Sequence, residues 1–137
     1  MRTALTSRPR LPAALPLAGA GLLAAGGWVH WCLYRHGYRY IPTIGPLFML
    51  NALSSLAIAV LVAVRRELLV RVAGLRLAGT SLAAFVASRT VGLLTFRERG
   101  LQPAPQAPLV VAVEVLALVV LAVTYRWDRA LAKTRAG

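Results

Sequence analysis

The sequence predicts an all-α fold: a four-helix transmembrane bundle, antiparallel and up-down, with both termini in the cytoplasm. Three observations lead there. The 137-residue chain is 58% hydrophobic, with a mean hydropathy of +0.67, more apolar than a soluble domain of this length. Its charges fall between uncharged runs long enough to cross a bilayer core of about 30 Å, which takes about 20 helical residues. Those charges are also distributed unequally between alternate loops, the signature of a membrane orientation. The whole chain, residues 1–137, reads as a single integral membrane domain.

The first span is predicted over 11–34. It is uncharged throughout, with Pro12 and Pro16 near its start and Gly26-Gly27 late. A basic start before an apolar stretch also describes a signal peptide, but this run extends well past a signal core and three further spans follow. The second span is predicted over 46–64. Thr43 stands as its N-cap in Thr43-Ile44-Gly45-Pro46, and Arg65-Arg66 closes it.

The third span, over 72–96, contains Arg89. Its strongly apolar residues favour insertion by roughly 4 kcal/mol, while one central Arg removes about 2.5 to 3.5, so the span needs a partner for that guanidinium. Its start extends back to Leu68 if Arg71 and Arg76 snorkel to the headgroups. The fourth span, over 107–125, follows a loop carrying Pro103, Pro105 and Pro108. The N-terminal ten and C-terminal nine residues are expected to fray.

Eleven basic residues flank the N-terminus, the second loop and the C-terminus, from Arg2 to Arg10, Arg65 to Arg76 and Arg126 to Arg135. The other two loops hold four: Arg35, Arg39, Arg97 and Arg99. The positive-inside rule places the larger set in the cytoplasm, with anionic lipid headgroups as its partner. Trp28, Trp31, Tyr34, Tyr38 and Tyr40 then mark the outer interface. A total of 16 Lys+Arg against 4 Asp+Glu would indicate nucleic acid in a soluble protein, but here the charges bracket apolar spans, and no nucleic-acid partner is expected. The basic residues are Arg except for Lys133, amid abundant Ala, Leu and Val. That bias points to a GC-rich bacterial genome, hence to the bacterial plasma membrane.

Enzyme, cofactor and metal signatures are absent from the sequence. Cys32 is alone, which excludes an intrachain disulfide and dithiol chemistry within the chain. His30 and His36 sit on one flank rather than on facing helices, as a bis-histidine haem requires. Gly79-Thr80-Ser81-Leu82-Ala83 approaches a nucleophile elbow, but that motif needs a strand-to-helix turn, and helix packing is the reading its apolar surroundings favour. Small residues recur at spacing four in the third span (Gly79, Ala83, Ala87) and in the first (Ala20, Ala24; Gly21, Ala25), making those two helices candidates for close contact.

Depth brings four polar residues together. At 1.5 Å per residue, Arg89 and Glu114 both lie about 10 Å below the outer interface, Asn51 about 8 Å and His30 about 6 Å. A buried ionisable group is expensive unless paired, so Arg89 and Glu114 are expected to pair, with Asn51 satisfying a leftover donor.

The stretch from His30 through Gly37-Tyr38-Arg39-Tyr40-Ile41-Pro42-Thr43-Ile44-Gly45-Pro46-Leu47-Phe48-Met49-Leu50-Asn51, followed by Gly92, Phe96, Glu98 and Glu114, resembles small four-span membrane proteins of actinobacteria that carry no assigned activity. The resemblance implies a fold and a compartment and no reaction, and it does not place Arg89. Two functions compete. One is a non-enzymatic structural or accessory subunit, with a membrane protein or a second copy as partner, locked by a buried Arg–Glu pair. The other is a small proton-coupled transporter or ligand-binding protein using Glu114. An intramembrane enzyme is disfavoured by the lack of a nucleophile with a base within reach.

Overall fold

In a computed structural model describing residues 12–136, the chain forms four α-helices and one short 3-10 turn, with no strand among those residues. The helices are α1 (Ala14–Arg35), α2 (Ile44–Val64), α3 (Leu68–Arg89) and α4 (Gln106–Ala136). α1 packs on α2 and α4, and α3 packs on α4 and α2, giving a ring in which α2 and α3 are the least closely packed neighbours. Three of the helices, α2, α3 and α4, are long and apolar enough to cross a membrane, which fits an integral membrane protein. α1 has the length, but its glycines, His30, Trp28 and Trp31 lower its hydropathy.

Local chemistry sets most boundaries. α1 ends where His36 donates its backbone N–H to the Cys32 and Leu33 carbonyls and Gly37 turns the chain at φ +142°. The chain then makes the Tyr38–Tyr40 turn and enters α2 two residues before the expected Pro46. Pro46 occupies the first turn, where a missing N–H costs nothing. Thr43 is the N-cap residue, but its side chain makes no capping bond. Gly45 is needed here because a Cβ would come within 2.9 Å of the Arg39 Cα and the Tyr38 carbonyl.

Two ends depart from expectation. α3 begins at Leu68 but stops at Arg89, seven residues before the expected Phe96. Beyond Arg89, Gly92, Leu94 and Thr95 all take positive φ, and the Arg89 side chain bonds loop carbonyls instead of sitting in an apolar span. α4 runs to Ala136, so the expected fraying from Arg129 onward is corrected. That segment is rich in Ala, Leu, Arg and Lys, all strong helix formers. The expectation for the first ten residues lies outside the described residues.

The main apolar core occupies one half of the bundle and draws on every helix: Leu23 from α1, Val62 from α2, Val70 from α3 and Leu121 from α4, with small residues such as Ala59, Ala78 and Ala117 between them. The expected contact between the α1 and α3 ridges does not form. Gly21 and Gly79 have no neighbour within 4 Å of an added Cβ, whereas Gly27 meets Ser55 of α2 at 2.8 Å and Gly19 meets Leu121 of α4 at 3.1 Å. Outward positions stay apolar: Leu53 is 59% exposed and Leu56 57%, surface that only a lipid solvent makes cheap.

Below this core lies an ion pair that the sequence reading missed. Arg71, expected to snorkel, is 1% exposed. Its Nη1 donates to the Val62 carbonyl at 2.9 Å and its Nε to Asp128 Oδ2 at 3.3 Å, tying α3 to α2 and α4. Removing one partner leaves the other charge buried, so Arg71→Ala should lower unfolding free energy by about 3 to 5 kcal/mol. The double change Arg71→Met with Asp128→Leu should recover most of that. Thermal and denaturant unfolding in detergent measures both, and a double variant no better than Arg71→Ala would contradict the pairing.

Candidate functional site

The other half of the bundle is hollow. A cavity of about 410 Å³ is lined from every helix, and His30, Asn51, Arg89 and Glu114 all contribute to its wall. The α3 residues facing it, Leu77, Thr80, Ser81, Ala84, Phe85 and Ser88, follow the spacing of one helical face. On the α2 side Leu50 and on the α3 side Thr80 are exposed to the exterior as well as to the cavity, which places its opening along the loose α2/α3 seam.

The expected Arg89–Glu114 pair does not form. Arg89 Nη2 instead binds Glu98 Oε2 at 2.8 Å, because α3 ends at Arg89 and the loop folds back over it. The rest of the guanidinium is engaged as well: Nε with the Gly100 carbonyl at 2.8 Å, Nη2 also with the Gln102 carbonyl at 2.6 Å, and Nη1 with Ser88 Oγ at 2.7 Å. Its plane centre stacks 3.6 Å from the Phe85 ring centroid. The Tyr38 hydroxyl donates to the other Glu98 oxygen. Burial, then the hydrogen bond to Glu98 and the charge of that carboxylate, hold the Tyr38 phenol well above its usual range against a small opposing effect of Arg89. Tyr38 therefore remains a donor at any physiological pH. These bonds make the 90–105 loop a roof, with Leu93, Phe96 and Pro103 facing the cavity.

Glu114, 6% exposed, forms part of the polar floor. Its nearest ionisable neighbour is His30, with Oε1 and Nε2 3.9 Å apart, too long for a hydrogen bond. Ser81 stands beside them on the same wall, its Oγ 3.3 Å from His30 Nε2. The His30 Nδ1–H donates to the Gly26 carbonyl at 3.0 Å, so the neutral ring turns the Nε2 lone pair toward Ser81.

Asn51 has no leftover donor of an ion pair to satisfy. Its Oδ1 accepts from Ser55 at 3.1 Å, which orients its NH₂ group the other way. Among the described residues no three His, Cys, Asp or Glu side chains converge on a metal-sized site. One wall is a run of rings, His30 against Phe48 at 5.3 Å, Phe48 against Tyr38 at 4.5 Å, and Tyr38 against Phe96 at 5.8 Å between centroids.

Ser81 is the residue the sequence reading set aside as packing. Its signal was the recurrence of Ser and Thr at positions 80, 81 and 88 on one face of an otherwise apolar helix. The expectation that no nucleophile has a base within reach is corrected by the Ser81–His30 contact. No protein-family model, no curated protein and no solved structure matches the chain, so function must be argued from this geometry.

Arg89→Ala should release the roof while leaving the helices intact. Loss of several charge-assisted bonds, each worth about 1.5 to 3 kcal/mol, should raise amide exchange throughout residues 90–105 with unchanged helical circular dichroism. Glu98→Gln should have a smaller effect, since its amide oxygen still accepts from Arg89 or Tyr38. Hydrogen exchange by mass spectrometry reads both, and equal protection in wild type and Arg89→Ala would contradict the assigned role.

Proposed function

We propose that the protein is a non-enzymatic, four-span protein of a bacterial plasma membrane that binds a small, largely apolar molecule in the cavity over Glu114, with binding coupled to the protonation of Glu114 and its neighbour His30. The observation that carries this reading is the cavity itself. Its volume of about 410 Å³ falls within the range of small-molecule sites, and its wall is mostly apolar around a few convergent polar groups.

The competing structural reading needs a buried ion pair as its lock. Arg71 and Asp128 fill that role at the opposite end of the bundle, leaving Glu114 with no guanidinium and facing space. Binding rather than covalent catalysis is favoured because the second ring nitrogen of His30 rests on a backbone carbonyl instead of an orienting carboxylate, and Ser81 Oγ stands at a long 3.3 Å from Nε2.

An up-and-down arrangement is supported by paired contacts along α1 and α4: Gly19 sits against Leu121 and Gly26 against Glu114, so the numbers rise on one helix as they fall on the other. α1, at 22 residues, spans about 33 Å and suffices to cross. The charge asymmetry puts both termini and the α2–α3 turn in the cytoplasm, where Arg65, Arg66, Arg126 and Arg129 meet anionic headgroups. The cavity then belongs to the outer half of the bilayer.

Two measurements test these statements. Single-Cys variants at Gly37 and Gln102, made in a Cys32→Ala background, should react with a membrane-impermeant maleimide from outside the cell; reaction only from the cytoplasmic side would overturn the topology. Phenylbutanol should bind the purified protein in lipid nanodiscs at one site per chain. Filling the cavity with Ala84→Trp should weaken that binding by about tenfold or more. Unchanged affinity in a folded Ala84→Trp variant would place the ligand elsewhere.

A further inference from the structure

The chain has four acidic residues, and among the described residues three of them lie against an arginine. Glu67 meets Arg65 at 3.2 Å, Glu98 meets Arg89 at 2.8 Å, and Asp128 meets Arg71 at 3.3 Å. Among the described residues Glu114 has no arginine or lysine against it, although it is more buried than any of those three. We infer that the missing counter-charge is supplied by the ligand: the cavity is a site for a hydrophobic cation, an ammonium group on an apolar body, entering from the lipid between α2 and α3. This inference rests on the binding reading above and specifies the class of molecule bound.

The floor is built to accept hydrogen bonds. Glu114 offers carboxylate oxygens, neutral His30 offers Nε2 because Nδ1–H is engaged by Gly26, and Ser81 Oγ stands beside them. An alkylammonium carries three N–H donors and no acceptor, the complement of this set. An anionic ligand finds the Asn51 NH₂ as a donor but no free cation among the described residues of the wall. Arg89, the one guanidinium on the cavity wall, has its nitrogens engaged by Glu98, Gly100, Gln102 and Ser88, and the Tyr38 hydroxyl is held by Glu98. The ring run formed by Phe48, Tyr38 and Phe96 presents apolar surface and π faces suited to the body of a lipophilic amine.

Entry from the lipid follows from the opening. Leu50 on α2 and Thr80 on α3 face both the cavity and the exterior along the least closely packed seam, while the roof closes the end of the bundle. A molecule already partitioned into the bilayer reaches Glu114 without crossing the roof.

A cation and a proton compete for the same carboxylate. The titratable and charged groups facing Glu114 are His30 from α1, no group from α2, Arg89 at the upper edge of the cavity from α3, and Tyr38 and Glu98 in the roof. Of these, Arg89, Glu98 and Tyr38 neutralise or satisfy one another, leaving Glu114 and His30 to titrate. Bound amine requires Glu114 ionised and His30 neutral, so acidification weakens binding through both groups, and amine binding at moderately acid pH releases protons to the medium.

The test uses a matched pair of probes, phenylbutylamine and phenylbutanol, titrated into the full-length protein in nanodiscs, with empty nanodiscs subtracted. The expected result is that the amine binds tighter than the alcohol by on the order of 30-fold, the preference shrinking as pH falls. Glu114→Gln should abolish the preference and its pH dependence, with folding read separately from the helical circular dichroism and thermal unfolding of the variant. Should Glu114→Gln fail to fold, Glu114→Asp should retain the preference in reduced form, and its loss there would count against the inference. Equal binding of amine and alcohol to the wild-type protein would overturn the cation inference and leave the binding reading standing. Binding of neither would overturn both. An amine preference that survives Glu114→Gln would place the counter-charge elsewhere and overturn the inference alone.

Discussion

A charge inside a low-dielectric bundle must be neutralised within a few ångströms, and the arrangement of this protein follows from how its few carboxylates meet that demand. Glu67 meets it at the exposed α2–α3 turn, where an ion pair contributes little. Asp128 meets it deep at one end, where Arg71 is 1% exposed and also satisfies the open carbonyl of Val62 near the end of α2. Glu98 meets it at the other end, where the Arg89 guanidinium also bonds the Gly100 and Gln102 carbonyls of the loop. Among the described residues Glu114 has no arginine or lysine against it, and the hollow in the bundle lies at that residue.

The two arginine pairs divide the labour between the halves of the molecule. Arg71 fixes the spacing of α2, α3 and α4 below a core of Ala, Val and Leu, where small residues let the backbones approach closely. Arg89 bonds the far end of the loop, at Glu98, Gly100 and Gln102, while the left-handed Leu94 and Thr95 lie in a turn closed by paired backbone bonds between Leu93 and Phe96. The roof bonds at Arg89 and Tyr38 and the pair at Arg71 and Asp128 thus lie at opposite ends of the bundle.

Much of the scaffold was legible in the sequence because hydrophobic length and Pro/Gly punctuation act locally. α2 starts within two residues of its expected position and ends at the expected Val64, since Arg65-Arg66 and Pro46 mark its ends directly. The end of α3 was not legible: Val91, Leu93, Leu94 and Phe96 are apolar enough to continue a span, and only their backbone angles and the Arg89 bonds show that they fold back. The four polar residues assembled by depth do line one cavity, yet which carboxylate Arg89 takes was not decided by depth. Glu98 lies nine residues along the chain, in a segment read as solvent loop, and the fold-back brings it nearer than Glu114. Arg71 and Asp128, 57 residues apart, carried no local signal at all, because both sat in stretches that read equally well as headgroup-facing flanks.

Interiors are close-packed, and the small or polar Ala84, Ser81, Ser54 and Asn51 leave open a space that Leu or Phe at those positions would fill. Likewise a Leu at Glu114 would remove a buried carboxyl at no loss to any of the arginine pairs. Instead small and polar side chains are concentrated on the facing sides of α2 and α3, on the seam where those helices separate, and the Glu114 carboxyl sits at the polar floor of the space they leave. Local departures from the rules that stabilise the rest of a fold are expected where a protein must interact with something it does not itself contain. Here the departures agree with one another: the hollow lies along the loosely packed α2/α3 seam, and among the described residues Glu114 at its floor has no arginine against it.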